Sequence, residues 1–218
     1  MEEYLLNYQF SIIGKFDKLY NNIFSFSSDW TDFKKEAMND YSPSGNGLNC
    51  YILSNEEVRI VIRIDRIDFM FPKLSDDDCD SFLKYFAIFK NGIDSIFRIA
   101  INYQLFYEDT DSVLENKMSE LINIFKSFGN SKEFNLSINI PFSKNQMDYN
   151  DITLIQNGDV QKKDSFQSLK ALLASFDINS AYNPLESKLI EHDKLALYFK
   201  VMFDRLNEKR EFLKKYLG

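Results

Sequence analysis

The chain has 218 residues, 44% hydrophobic and 27% charged, which is ordinary globular usage and enough apolar material for a full core. Its 26 Lys and Arg against 33 Asp and Glu leave a net charge of −7, the reverse of the balance by which nonspecific nucleic-acid binders displace counterions, so no nucleic acid is expected. Against 21 Phe, 12 Tyr and one Trp stand one His and seven Gly, a balance that favours packing and binding over proton transfer and phosphate-cradling loops.

Tyr4, Leu6, Tyr8, Phe10 and Ile12 alternate with polar residues and predict a half-buried strand. Phe16, Leu19, Tyr20, Ile23 and Phe24 have helical spacing, and a second short helix is expected over Asp29–Asp40. Leu48–Leu53 and Val58–Phe71 read as a hairpin around Ser54-Asn55-Glu56-Glu57. The second arm changes phase: Val58, Ile60, Ile62 and Ile64 share one parity, Ile67, Phe69 and Phe71 the other. A β-bulge near Asp65-Arg66 would restore its register. Phe82, Tyr85, Phe86 and Phe89 mark a helix starting near Ser75.

Phe97, Ile99, Ile101, Tyr103, Leu105 and Tyr107 predict a long strand. Leu114, Met118, Leu121, Phe125 and Phe128 predict a helix begun by the capping box Ser112-x-x-Glu115. Val58–Phe89 and Phe97–Phe128 therefore share a strand, acidic turn and helix plan. Phe134–Phe142 alternates again. Asn157-Gly158 suggests a hairpin turn between Asp151–Gln156 and Asp159–Lys163. Phe166, Leu169, Leu172, Leu173 and Phe176 suggest a fifth helix. The last segment, roughly Leu185–Leu217, reads as one long helix. Its stripe of Leu195, Phe199, Met202, Leu206, Leu213 and Tyr216 is broken by Lys209. Such a stripe serves either a packing face on the chain's own sheet or a homodimer seam.

Little in this sequence offers chemistry. Ser75-Asp76-Asp77-Asp78-Cys79-Asp80 and Glu108-Asp109-Thr110-Asp111 read as helix starts, with carboxylates on the positive end of the dipole, and no metal or cofactor is expected. The triplets Glu115-Asn116-Lys117 and Glu186-Ser187-Lys188 fall in predicted helices, where Glu and Lys two apart face different ways. His192 has no nucleophile motif to serve, and no dinucleotide or P-loop pattern occurs. Ser42–Gly47 reads as a small loop. The most interesting polar cluster is Asp65, Arg66 and Asp68, with Arg63, in the strand that changes phase.

These patterns predict an α+β fold: a largely antiparallel sheet of about six or seven strands with packed helices in residues 1–184, then a long C-terminal helix in 185–218. The expected function is non-enzymatic protein binding or regulation, with homodimerisation. The candidate partner-binding residues are Tyr103, Phe106 and Tyr107, with Asp65, Arg66 and Asp68. A small-molecule sensor with an aromatic pocket, and a metal-dependent hydrolase using Asp65 or Asp68, are the alternatives. Two isolated cysteines, the lack of a leader pattern and the lack of a long apolar run place the chain in the cytoplasm, away from membranes. Its Asn, Lys, Ile and Phe usage fits an AT-rich bacterial or phage gene.

Overall fold

Period-two alternation of large apolar residues builds one continuous sheet. The computed structural model describes residues 3–21, 32–40, 48–73, 78–108, 135–161, 168–181 and 189–217. Ten strands pair: β1 (Glu3–Lys15), β2 (Lys34–Asp40), β3 (Leu48–Ser54), β4 (Arg59–Ile62), β5 (Arg66–Met70), β6 (Ser95–Glu108), β7 (Asn135–Asn139), β8 (Phe142–Lys144), β9 (Met147–Gln161) and β10 (Ser168–Ser180). The order is β2-β3-β4-β5-β1-β6-β10-β9-β7, with β8 also on β9, and every described pairing is antiparallel. Ten strands exceed the six or seven expected: two segments read as helices contain β2 and β10, the strands expected over Val58–Phe71 and Phe134–Phe142 each give two, and the two arms expected around Asn157-Gly158 merge into β9.

Among the described residues the α-helices are α1 (Asp17–Asn21), α2 (Asp78–Phe89) and α3 (Leu195–Leu217). One side of the sheet carries the apolar set Tyr8, Phe10, Ile12, Ile60, Ile62, Ile67, Phe69, Ile99, Ile101, Tyr103, Phe176 and Ile178, all 1% exposed or less. The stripes of α2 and α3 close over this side. Phe82 of α2 is the hub: its ring stacks on Phe10 at 4.8 Å, meets Phe69 edge-on at 5.0 Å and lies 4.5 Å from Phe199 of α3. Sheet and both helices thus share one aromatic contact set, each pair adding to the area the rings already bury.

Helix α3 spends its stripe here. Leu195, Phe199, Met202 and Leu206 are 0% exposed and Leu213 is 6% exposed, and all belong to the chain's own core. Tyr198, Val201 and Phe203 are buried beside them, so the apolar face is wider than a coiled-coil seam. The expectation of a dimer seam is corrected to packing in cis for these five positions; the Tyr216 side chain lies outside the described residues. The helix also starts at Leu195, after a 3-10 turn over His192–Lys194, not near Leu185.

Four further expectations change. Asp29–Asp40 contains strand β2, although Lys34, Lys35, Glu36, Ala37 and Met38 all favour helix; pairing with β3 overrides that weak preference. The supposed bulge at Asp65-Arg66 is a tight turn: Arg63 N–H donates to Arg66 C=O at 2.8 Å, and Ile62 pairs with Ile67. Asn157-Gly158 lies inside β9, opposite Leu172 and Ala171. The fifth helix is strand β10, whose even positions Leu172, Ala174, Phe176 and Ile178 all face the core. The hairpin over Ser54–Glu57 forms as expected, with Asn55 Oδ1 accepting from the Glu57 and Val58 N–H groups at 2.9 and 2.8 Å. The helix expected over Leu114–Phe128, the loop Ser42–Gly47 and the residues before Asp78 in the acidic turn lie outside the described residues.

Candidate functional site

The opposite side of the sheet is polar, and its rows follow from the strand registers. One row runs Arg66, Ile13, Arg98 across β5, β1 and β6. The next runs Val61, Asp68, Ser11, Ala100, Asn179, Asn150 across β4, β5, β1, β6, β10 and β9. A third runs Arg59, Met70, Gln9, Asn102, Asp177, Ile152. Cys50, Ile52, Val61 and Met70 form a small apolar cluster at the β3 end.

Asp68 is the centre of this face. Its carboxylate is 7% exposed. Oδ1 accepts from Arg66 Nε, Gln9 Nε2 and Ser11 Oγ, each at 2.7 Å, and Oδ2 accepts from Arg63 Nη1 at 3.0 Å. Arg66 Nη2 also donates to Ser11 Oγ at 3.1 Å. The β4–β5 turn makes this possible by bringing Arg63 and Arg66 back to back beside Asp68. A buried carboxylate taken from water needs such donors, and here it has a full set. Two guanidiniums on one carboxylate leave the cluster with a net positive charge, and Arg63 and Arg66 remain 27% and 42% exposed.

The expected site residues divide. Arg66 and Asp68 come together, with Arg63, Ser11 and Gln9 added. Asp65 does not join: its side chain is exposed in the turn, and its C=O accepts from Gly14 N–H at 3.0 Å. Tyr103 and Tyr107 are 1% and 2% exposed in the helix-covered core, so they offer no surface. Phe106 points to the polar face but is 8% exposed, its ring stacked on Tyr4 at 4.5 Å. Tyr4 reaches that face because β1 bulges between Leu5 and Asn7, which flips Tyr4 and turns Leu6 outward at 50% exposure. Ser11 and Gln9 had no local sequence signal, since their role depends on β1 lying next to β5.

Strand β1 runs past the end of β5, which leaves at Pro72 after Phe71 N–H has bonded Tyr8 C=O at 2.9 Å. The resulting notch holds a cavity of about 250 Å³ bounded by Leu6, Asn7, Asn55, Arg59, Met70 and Pro72 among others. It is smaller than the usual ligand pocket and mixes apolar and polar walls.

A second buried carboxylate ties α3 to the sheet. Asp151 of β9 is 0% exposed, bonds Arg205 Nε at 2.8 Å and pairs with Lys209, the polar break in the stripe. The hydrogen bond that Arg205 donates to Asp151 pushes the guanidinium above the usual arginine range. Burial pushes the Lys209 ammonium below the usual lysine range, against the pull of Asp151. This is a structural clamp, with each group engaged by the other. Burial and nearby Lys90 push His192 below the usual histidine range, with Asp193 pulling it back, and its ring meets Phe86 edge-on at 6.2 Å.

Among the described residues no His, Cys, Asp and Glu gather as a metal would require, and no helix is long and apolar enough to cross a membrane. Comparisons with protein-family models, curated proteins and solved structures gave no match to this chain.

Proposed function

We propose that this chain is a non-enzymatic protein-binding or regulatory protein that docks a protein partner on its polar sheet face, around Arg63, Arg66 and Asp68. The observation that carries the reading is a pair of part-exposed arginines already fixed by a buried carboxylate. Long side chains lose freedom when they bind, and here Asp68 has taken up that cost before a partner arrives. A cationic centre on a chain of net charge −7 also gives a partner a defined landing point. Of the aromatic residues first expected to make this contact, Tyr103 and Tyr107 instead lie in the core beneath the face, and Phe106 is stacked on Tyr4.

Self-association through the α3 stripe is not part of this reading, since Leu195, Phe199, Met202, Leu206 and Leu213 are buried in their own chain. The hydrolase alternative loses its motivation because Asp65 and Asp68 do not converge and the Asp68 oxygens are held by four donors. The sensor alternative keeps one observation, the notch cavity of about 250 Å³. Native mass spectrometry of the chain isolated gently from its own host separates the readings. The docking reading expects a co-purifying protein that Arg63→Glu/Arg66→Glu releases. A chain carrying only a small molecule would replace it with the sensor reading.

A further inference from the structure

Arg98, in the row beside Asp68, and Asn179, further along the row of Asp68 itself, hold donors with no acceptor. Arg98 and Asn179 share the polar face of β6 and β10: Asn179 pairs with Ala100, and Arg98 stands two residues along on the same side. Diagonal neighbours of this kind lie roughly 7–8 Å apart at the backbone, within reach of a long side chain. Among the described residues Arg98 makes no ion pair or hydrogen bond, and its Nε is buried without a partner. Asn179 is 0% exposed. Its Oδ1 accepts from Asn150 Nδ2 at 3.2 Å, which leaves its own Nδ2 without a partner. Ile13 and Ala100 lie between these groups and the Asp68 cluster.

Buried polar groups in native proteins are almost always paired, so two orphans side by side ask for an explanation. Both orphans are donors, so what completes them is an acceptor. Arg63 and Arg66 already share Asp68, whereas Arg98 brings one positive charge with nothing against it. A singly charged anion matches that count better than a doubly charged phosphate does. A planar guanidinium with an amide N–H alongside fits the two oxygens of a carboxylate, each oxygen taking a strong charge-assisted bond.

We infer that Arg98 and Asn179 form a binding site for one carboxylate group, presented to the polar face by an acidic residue of the docked partner. This deepens the docking reading by naming the chemistry recognised, and it rests on that reading for the source of the carboxylate. Arg66, on the far side of Ile13 in the same row, widens the cationic rim of the site.

The test uses the whole ¹⁵N-labelled chain with sodium acetate as the probe. Ionic strength is held constant with sodium chloride, and the Arg98 Nε–H and Asn179 Nδ2 cross-peaks are followed. The expected result is a saturable shift of both, with peaks around Arg205 unmoved. Arg98→Gln should abolish the Asn179 response. Asn179→Asp supplies a resident carboxylate beside Arg98 while keeping an acceptor for Asn150, and should abolish the acetate response with the backbone spectrum otherwise preserved. Shifts that chloride reproduces, or that persist in Arg98→Gln, would overturn the site. Saturation by inorganic phosphate with acetate silent would overturn the carboxylate assignment. A partner still released by Arg63→Glu/Arg66→Glu while acetate is silent would remove this site and leave the docking reading standing.

Discussion

Replacing Asp68 by Asn keeps the volume and one acceptor but removes the charge that holds Arg63 and Arg66. The amide nitrogen then faces a guanidinium donor where Oδ2 had accepted at 3.0 Å. Breaking a buried ion pair by removing one partner costs about 3–5 kcal/mol. Here the arginines are 27% and 42% exposed, so water recovers part of the loss, and the expected cost is about 2–3 kcal/mol. Urea denaturation followed by circular dichroism measures it. With a slope of about 3 kcal/mol/M the midpoint should fall by about 0.7–1 M. The apolar replacement Arg63→Met/Arg66→Met/Asp68→Leu should recover most of that loss, since well-packed apolar groups often substitute for a buried ion cluster without penalty. A midpoint shift under about 0.3 M for Asp68→Asn would refute the view that this carboxylate organises the polar face.

Phe82→Ala should be among the costliest single changes, about 3–5 kcal/mol, because the ring touches the sheet and α3 together; a loss under about 1 kcal/mol in the same assay would show that the hub can collapse. Tyr149→Phe should raise stability by about 1 kcal/mol, since the Tyr149 hydroxyl is buried without a partner among the described residues, and a fall would mean that the hydroxyl is satisfied. His192 sits below its ordinary value, so the unfolded chain binds more protons than the folded one between the two. Stability should therefore rise with pH through that window up to about 6.5. His192→Gln should flatten this rise between pH ~5 and ~7.5, and identical profiles for the two proteins would contradict the burial of His192.

What could be read without the structure was mostly period and parity. The alternation in Ile99, Ile101, Tyr103, Leu105 and Tyr107 gave β6 correctly because each residue on the core face is large and apolar. The misreadings share a cause: a pattern compatible with two structures. Leu169, Leu172, Leu173 and Phe176 satisfy helical spacing, while Leu172, Ala174, Phe176 and Ile178 satisfy strand spacing, and only pairing with β6 and β9 selects the second. The phase flip between Ile62 and Ile67 was visible, but a bulge and a tight turn produce the same flip. Asn157-Gly158 carried the expected turn signal and forms strand, whereas the β8–β9 turn uses Asn145 and Gln146 at φ 55° and 63°, where Gln is an unusual choice. The polar cluster was half legible. Arg66 and Asp68 are two apart on one strand, but Ser11, Gln9, Arg98 and Asn179 join through register across strands distant in sequence.

The most direct test of the account is partner binding by the fold-preserving apolar variant Arg63→Met/Arg66→Met/Asp68→Leu. The protein that co-purifies with the natural chain is titrated against both forms by calorimetry, with urea midpoints confirming that both are folded. Loss of binding by a folded variant is the predicted result. Equal affinity for the two forms would mean that the arginine–carboxylate centre belongs to the architecture of the sheet and that the partner docks elsewhere.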